Sequence, residues 1–170
     1  MDPQSPLHPL FVHLPLGLAL VVPVLFAGLW LAIHKNWLPL RTWTLAIAAQ
    51  AALVGGAGLA LETGEEDAER VERVVAQARI EAHEDRAKLF LGAGVAVLLL
   101  AFAPLLARGM PRAGKWAAYA TIAGSCGVLA LGWAVGSSGG KLVYREGAAT
   151  AWTGAVGGTA TPVDASHRER

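Results

Sequence analysis

The chain has 170 residues, of which 54% are hydrophobic and 16% are charged, and its mean hydropathy is +0.45. Soluble domains carry about 25% charged residues, so this composition excludes an ordinary soluble domain and indicates a membrane protein. The formal net charge of +1 points to no nucleic-acid partner. Cys126 is the single cysteine, which excludes disulfides within the chain and cysteine-based metal sites. No hydrolytic triad or phosphate-binding loop is recognisable.

Four apolar runs are long enough to cross a hydrocarbon core of about 30 Å, which takes about 20 residues. The predicted spans are about 10–33, 42–61, 89–107 and 116–136. The first run lacks the basic start of a secretory signal, so we expect it to stay in the mature protein. The sequence therefore predicts an all-α integral membrane four-helix bundle over residues 1–147. Residues 148–170 are predicted to form a tail that is flexible or ordered by a partner.

The segment between the second and third spans, residues 62–88, carries nine carboxylates and five basic groups. Its apolar residues recur at a spacing of three to four, which predicts an amphipathic outer helix. The loops after the first and third spans are basic and contain no acidic residue. Because basic loops stay on the cytoplasmic side, this pattern places residues 62–88 and both termini outside.

Several residues within the spans predict how the helices pack. Gln50 lies near the middle of the second span, where we expect its amide to hydrogen-bond a neighbouring helix. The glycine-rich runs at residues 55–58 and 124–127 predict close backbone approach. Pro15 and Pro23 predict a kink in the first helix.

His13 and His83 are the candidate ligands. The first and third spans run in the same direction, which sets His13 and His83 at a similar depth near the outer face. Parallel helices with one histidine each can hold a haem b or a metal ion between them. A carboxylate beside His83, Glu81 or Glu84, can orient its ring. The structural alternative is that His13 bonds carbonyl groups freed by Pro15 and that His83 is an interfacial polar residue.

His8 precedes Pro9, and this position suits an interfacial, capping or supporting role better than direct ligation. His34 and His167 are interpreted as an inner-loop residue and a tail residue.

Four ordered motifs lie near the ends of the predicted spans: LHPLFVHLPLGLAL, ETGEEDAERVE, ARIEAHEDRA and GGKLVYREGAA. Together they resemble a bacterial four-span membrane-protein family labelled domain of unknown function 2231, and the resemblance covers most of the chain. The matching positions are His8, Pro9, His13 and Pro15 in the first motif, His83 and Glu84 in the third, and Gly139, Gly140, Leu142, Val143 and Tyr144 in the fourth.

The chain departs from the family pattern in two places. Leu14 replaces a more usual Phe. Relatives carry histidines on either side of the paired glycines of the fourth motif, where this chain has Ser137-Ser138 and Arg145-Glu146. If those histidines are ligands in relatives, this chain lacks that site, and the two candidate ligands of the first and third motifs remain.

Some relatives are joined to cytochrome c or Rieske-type domains, so the resemblance implies an integral membrane redox subunit rather than an enzyme. Such a subunit would bind haem b through His13 and His83 near the outer face, with Tyr144 or Lys141 near the haem edge. It would pass electrons between quinol or a membrane complex and a periplasmic carrier. The implied location is the bacterial inner membrane, with both termini in the periplasm.

The fourth motif is expected to form an outer loop in which Gly139 and Gly140 allow a tight backbone turn.

Two other functions stay open. In one, the protein binds an iron, zinc or copper ion; the ligands would be His13, His83, Glu84 and His8, with Glu62 or Glu65 as further donors. In the other, it is an accessory or assembly subunit that binds no cofactor and packs against a larger complex. The expected partners are the lipid bilayer, membrane or periplasmic redox subunits such as a cytochrome c, and a second copy of the chain.

Overall fold

A computed structural model describes residues 8–107 and 109–153 of the chain. These residues form helices and connecting turns and contain no strand. The helices are α1 (His8–Phe11), α2 (His13–His34), α3 (Trp43–Val71), α4 (Gln77–Leu100), α5 (Ala103–Leu106), α6 (Pro111–Tyr144) and α7 (Thr150–Thr153). A 3-10 turn at Leu40–Thr42 precedes α3.

Four segments are long and apolar enough to cross a membrane: His13–His34, Leu40–Val71, Gln77–Leu106 and Pro111–Tyr144. The long helices α2, α3, α4 and α6 form a four-helix bundle in which α2 packs on α3 and α6, and α4 packs on α3 and α6. The prediction of an all-helical membrane bundle with four spans is therefore confirmed.

The bundle interior is built from small and medium apolar side chains together with a few aromatic rings. Phe26 of α2 packs against Trp43 of α3, with the ring centroids 4.9 Å apart. The indole N–H of Trp43 donates to the carbonyl oxygen of Ala101 at 2.8 Å, so the buried polar atom of this ring has a partner. The core therefore reaches from α2 through α3 to the end of α4.

The end of α2 is a tight helix stop. Asn36 has a positive φ of 58°, a conformation that asparagine tolerates better than most residues. The backbone N–H groups of Asn36 and Trp37 donate to the carbonyls of Ile33 and Ala32. This pair of bonds is the Schellman arrangement, and it turns the chain back toward α3.

Gln50 and several glycines pack as the sequence predicts. The side-chain amide of Gln50 is fully buried and donates from Nε2 to the carbonyl oxygen of Gly94 on α4 at 2.8 Å. A Cβ at Gly56 would lie 3.2 Å from Pro15, and one at Gly124 would lie 2.9 Å from Val97. Other glycines of the same runs, such as Gly55 and Gly127, face open space. One glycine from each run therefore brings two helices together.

Residues 62–88 are largely helical, as expected, but they do not form one separate amphipathic helix. They are shared between α3 and α4. Helix α3 continues through the acidic residues to Val71, a turn covers residues 72–76, and α4 begins at Gln77. Val75 in the turn is buried. The polar segment thus extends two spanning helices, because their backbone hydrogen bonds continue beyond the apolar stretch.

The expectation of an outer loop at the fourth motif is wrong. Gly139 and Gly140 lie inside α6, which runs without interruption to Tyr144. Neither glycine has a positive φ. What Gly139 provides is space for a neighbouring ring, described below, rather than freedom to turn.

The tail predicted to begin at residue 148 has structure in its first residues. Ala148 is buried, its N–H donates to the carbonyl of Leu142 at 3.0 Å, and the short helix α7 follows. Residues 154–170 lie outside the described part of the chain, and so does His167.

Candidate functional site

One end of the bundle, which we call the histidine end, contains the end of α3 and the starts of α1 and α4, together with the last turns of α6. His8 begins α1 there. Its backbone N–H donates to Oδ2 of Asp67 on α3 at 3.2 Å, so a carboxylate satisfies the first amide of the helix. Its ring nitrogen Nδ1 lies 2.7 Å from the carbonyl oxygen of Ala60. His8 is therefore anchored to α3 through both backbone and side chain.

Gly64 allows this anchoring. A Cβ at Gly64 would lie 3.0 Å from Nδ1 and 3.2 Å from Cε1 of His8, which is closer than side chains normally pack. The imidazole of His8 thus lies directly on the backbone of α3.

His83 enters the same end from α4 and contacts α6. Its Nδ1 lies 2.8 Å from Oγ of Ser138. A Cβ at Gly139 would lie 3.2 Å from Cε1 of the ring, so Gly139 provides for His83 the space that Gly64 provides for His8. Each imidazole is therefore held by one hydrogen bond and one glycine of a neighbouring helix.

The hydrogen-bond partners assign the tautomer of both rings. The hydroxyl of Ser138 donates its single proton to the carbonyl of Val135 at 2.8 Å, so its oxygen is left to accept the Nδ1–H of His83. The carbonyl of Ala60 can only accept, so His8 also donates from Nδ1. In the neutral form, both rings therefore keep the lone pair on Nε2, the nitrogen that is free to bind a metal centre.

The two imidazoles form a pair. The ring centroids of His8 and His83 are 6.1 Å apart and the ring planes are at 89°. The pair therefore connects the start of α1 to α4 through their side chains.

His13, the partner that the sequence suggests for His83, is placed differently. Its side chain is exposed, whereas that of His8 is half-buried beside His83. His13 follows His8 by five residues, which is a rotation of about 140° around a helix axis. The structure therefore places the ring of His8 against that of His83.

The carboxylates expected to orient His83 act elsewhere on α4. Glu84 pairs with Lys88 one turn along the helix, and Glu81 accepts a hydrogen bond from Nε2 of Gln77 at 2.9 Å. Ser138 takes the orienting position instead. Sequence reasoning noticed Ser138 as a departure from the family pattern, but nothing in its local sequence shows that it faces α4.

The residues expected near a haem edge are at the solvent-facing surface of the histidine end. Tyr144 is 89% exposed and Lys141 is exposed. Glu146, just beyond them, lies 3.9 Å from Arg79 and links the ends of α6 and α4.

Few side chains at this end could ligate a metal ion that is not part of a haem. Among residues 8–107 and 109–153, no group of three or more His, Cys, Asp or Glu side chains is arranged to hold a metal ion. The predicted metal set of His13, His83, Glu84 and His8 therefore forms no such group within the described chain, and two of its members, His8 and His83, are in ring contact.

The fold and the spans define an integral membrane protein, an all-helical bundle with a histidine pair at one end. The family described as Predicted membrane protein (DUF2231) matches residues 4–152, and the chain belongs to this family. Comparisons with curated proteins and with solved structures find no match. The family membership expected from the sequence motifs is confirmed.

Proposed function

We propose that this membrane protein is a redox subunit that holds one haem b between His8 and His83. The observation that carries the proposal is the imidazole pair itself, with ring centroids 6.1 Å apart and each Nδ1 engaged by the protein. Imidazole nitrogens bind a metal at about 2 Å, so rings at this separation can share one metal centre. A histidine fixed through Nδ1 is the usual arrangement of a metal ligand.

The number of ligands favours haem over a bare ion. A structural zinc ion takes four protein ligands and a catalytic one takes three, whereas haem iron receives four nitrogens from its macrocycle and needs one or two from the protein. His8 and His83 are two histidines of this end whose rings are in contact, and no group of three metal-ligating side chains is present among the described residues. Bound haem would supply one-electron exchange.

The residues around the pair orient it. Ala60 and Ser138 accept the Nδ1–H groups and hold both rings by hydrogen bonds to α3 and α6. Asp67 fixes the backbone of His8. These contacts reduce the freedom of both ligands before any cofactor binds, which lowers the entropic cost of binding.

The surface around the pair is acidic. Within the described residues, every carboxylate lies between residues 62 and 85 or at Glu146, at the histidine end, and residues 62–88 carry nine carboxylates against five basic groups. An acidic surface favours encounter with a basic electron carrier such as a periplasmic cytochrome c. With the basic loops in the cytoplasm, the histidine end faces the periplasm of a bacterial inner membrane. In the proposed function, the haem exchanges electrons there with this carrier and with quinol or a membrane complex.

The test is the absorption spectrum of the full chain, purified in detergent and supplemented with haem. We expect a Soret band, a reduced α band and about one haem per chain. His8→Ala and His83→Ala should each abolish the spectrum of a haem with two histidine ligands.

His13→Ala and His34→Ala are the matched controls, because both residues are exposed histidines outside the pair. Both variants should keep the spectrum. Loss of haem in His13→Ala and retention in His8→Ala would favour the ligand pair suggested by sequence alone. A wild-type chain that takes up no haem would contradict the proposal and favour an accessory subunit.

A further inference from the structure

At the end of the bundle opposite to the histidine end, a cleft opens between the end of α2, the 3-10 turn, α5 and the start of α6. Its volume is about 400 Å³, within the range of sites that hold small ligands. Trp30, Ile33 and Leu40 form its apolar part, and His34 and Lys115 are at its polar edge. The cleft therefore combines an apolar wall with a cationic edge.

The surrounding charge has one sign. Lys35 and Arg41 lie between α2 and α3, next to the cleft-lining residues His34 and Leu40. All carboxylates of residues 8–107 and 109–153 belong to the other end of the bundle, as described above. An anionic ligand is therefore attracted to this end and meets no described carboxylate that repels it.

The cleft also lies at the depth of a membrane interface. Trp37 and Trp116 are exposed at the same end, and tryptophans concentrate where the hydrocarbon core meets the headgroups. The ring centroid of Tyr119 lies 5.9 Å from that of Trp30 and 6.0 Å from that of Trp116. The ammonium group of Lys115 lies 5.7 Å from the centroid of the Tyr119 ring. The cationic edge is thus adjacent to an interfacial aromatic cluster.

We propose that this cleft binds one anionic phospholipid. Its phosphate lies at Lys115 and His34, and an acyl chain covers Trp30, Ile33 and Leu40. The ligand must be an amphiphile because the cleft has an apolar wall as well as a cationic edge. It must be an anion because the charged side chains at and around the cleft are basic. Basic pockets between helices at this depth are typical binding sites for anionic headgroups. The site is independent of the histidine pair and of any haem.

The experiment uses the full chain in nanodiscs of phosphatidylcholine and phosphatidylglycerol, transferred to mild detergent, with the retained lipid counted by native mass spectrometry. We expect the wild type to retain phosphatidylglycerol in preference to phosphatidylcholine. A basic residue near an anionic headgroup is worth about a fivefold change in binding, so Lys115→Gln should lower the retention about fivefold. Arg112→Gln, on the same helix turn but outside the cleft, should change it less than twofold.

A second pair of variants tests the cleft without changing charge. Gly114 lines the cleft, so Gly114→Leu should fill it and reduce the retention of phosphatidylglycerol. Ala113 is exposed and outside the lining, so Ala113→Leu should leave the retention unchanged. Excess inorganic phosphate should not displace the lipid, because it lacks the acyl chain.

Three results would overturn the proposal. Equal retention of the two lipids would exclude an anion-selective site. An equal loss in Arg112→Gln and Lys115→Gln would assign the effect to diffuse surface charge. Full displacement of the lipid by phosphate would identify a site for free anions instead.

Discussion

The ring centroid of His8 lies 6.1 Å from that of His83, and the ring planes are nearly perpendicular. His8 belongs to α1 and His83 belongs to α4. Each ring is also hydrogen-bonded to another helix: His8 to α3 through Ala60, and His83 to α6 through Ser138. Four segments of the chain thus determine one pair of side chains. A change in any of them is expected to affect the pair.

Removal of the hydroxyl of Ser138 tests the orientation of His83. Ser138→Ala removes the acceptor of the Nδ1–H, and loss of such a supporting bond lowers the affinity for a metal centre about 10- to 100-fold. Haem titration followed by absorbance measures this change. Ser137→Ala is the control, because Ser137 is exposed and donates only to the carbonyl of Ala134. Equal affinities in the two variants would show that the Ser138 contact does not orient a ligand.

The two neighbouring glycines of the fourth motif should respond in opposite ways to alanine. A Cβ at Gly139 meets the ring of His83 at 3.2 Å, so Gly139→Ala must displace the ring, and overpacking costs about 1–3 kcal/mol. Gly140 has open space around it, and Gly140→Ala gains up to about 1 kcal/mol of helix propensity. The free energy of unfolding in detergent, measured for both variants, checks the difference. Equal effects would mean that the ring moves away at no cost.

The contact between Gly124 and Val97 sets the distance between α4 and α6. A Cβ at Gly124 would lie 2.9 Å from Cγ2 of Val97, and a valine side chain in a helix has little rotational freedom to avoid it. Gly124→Ala should therefore lower the free energy of unfolding by about 1–3 kcal/mol.

When Val97→Ala is added to Gly124→Ala, part of that loss should be recovered, because alanine at position 97 lacks the clashing methyl group. A double-mutant cycle on the free energy of unfolding measures this coupling. Gly127→Ala, which faces open space, is the control. Additive effects would show that the two helices separate freely.

Gln50 is a buried amide whose second polar atom has no hydrogen-bond partner among the described residues. Nε2 donates to Gly94, while Oε1 is buried and makes no hydrogen bond. Because interhelical hydrogen bonds in membranes contribute about 0.6 kcal/mol on average, Gln50→Leu should change stability by less than about 1 kcal/mol. Loss of the bond is offset by removal of an unsatisfied acceptor.

Gln50→Ala should cost more than Gln50→Leu, about 2 kcal/mol or more, because it leaves a cavity in the core. The free energy of unfolding in detergent distinguishes the two variants. If Gln50→Leu were the more damaging change, the amide would be an essential bond of the bundle rather than a tolerated polar group.

The sequence by itself determined the class of the protein. Four runs of about 20 apolar residues can satisfy their backbone hydrogen bonds in lipid only as helices, so hydropathy predicts the bundle without any knowledge of packing. The same argument predicts that Gln50 seeks a partner on a neighbouring helix, and the motifs at the span ends predict the family. These conclusions depend on properties of single segments.

Only the tertiary structure decided which residues meet. Depth along the membrane suggested His13 as the partner of His83, but depth does not determine the face of a helix on which a side chain lies. The rotation between His8 and His13 leaves His8 half-buried against His83 and leaves His13 exposed. The fourth motif shows the same effect, because Gly139 is needed for the ring of His83 and not for a turn. Side-chain contacts between distant segments depend on helix rotation, which is set by packing of the whole bundle.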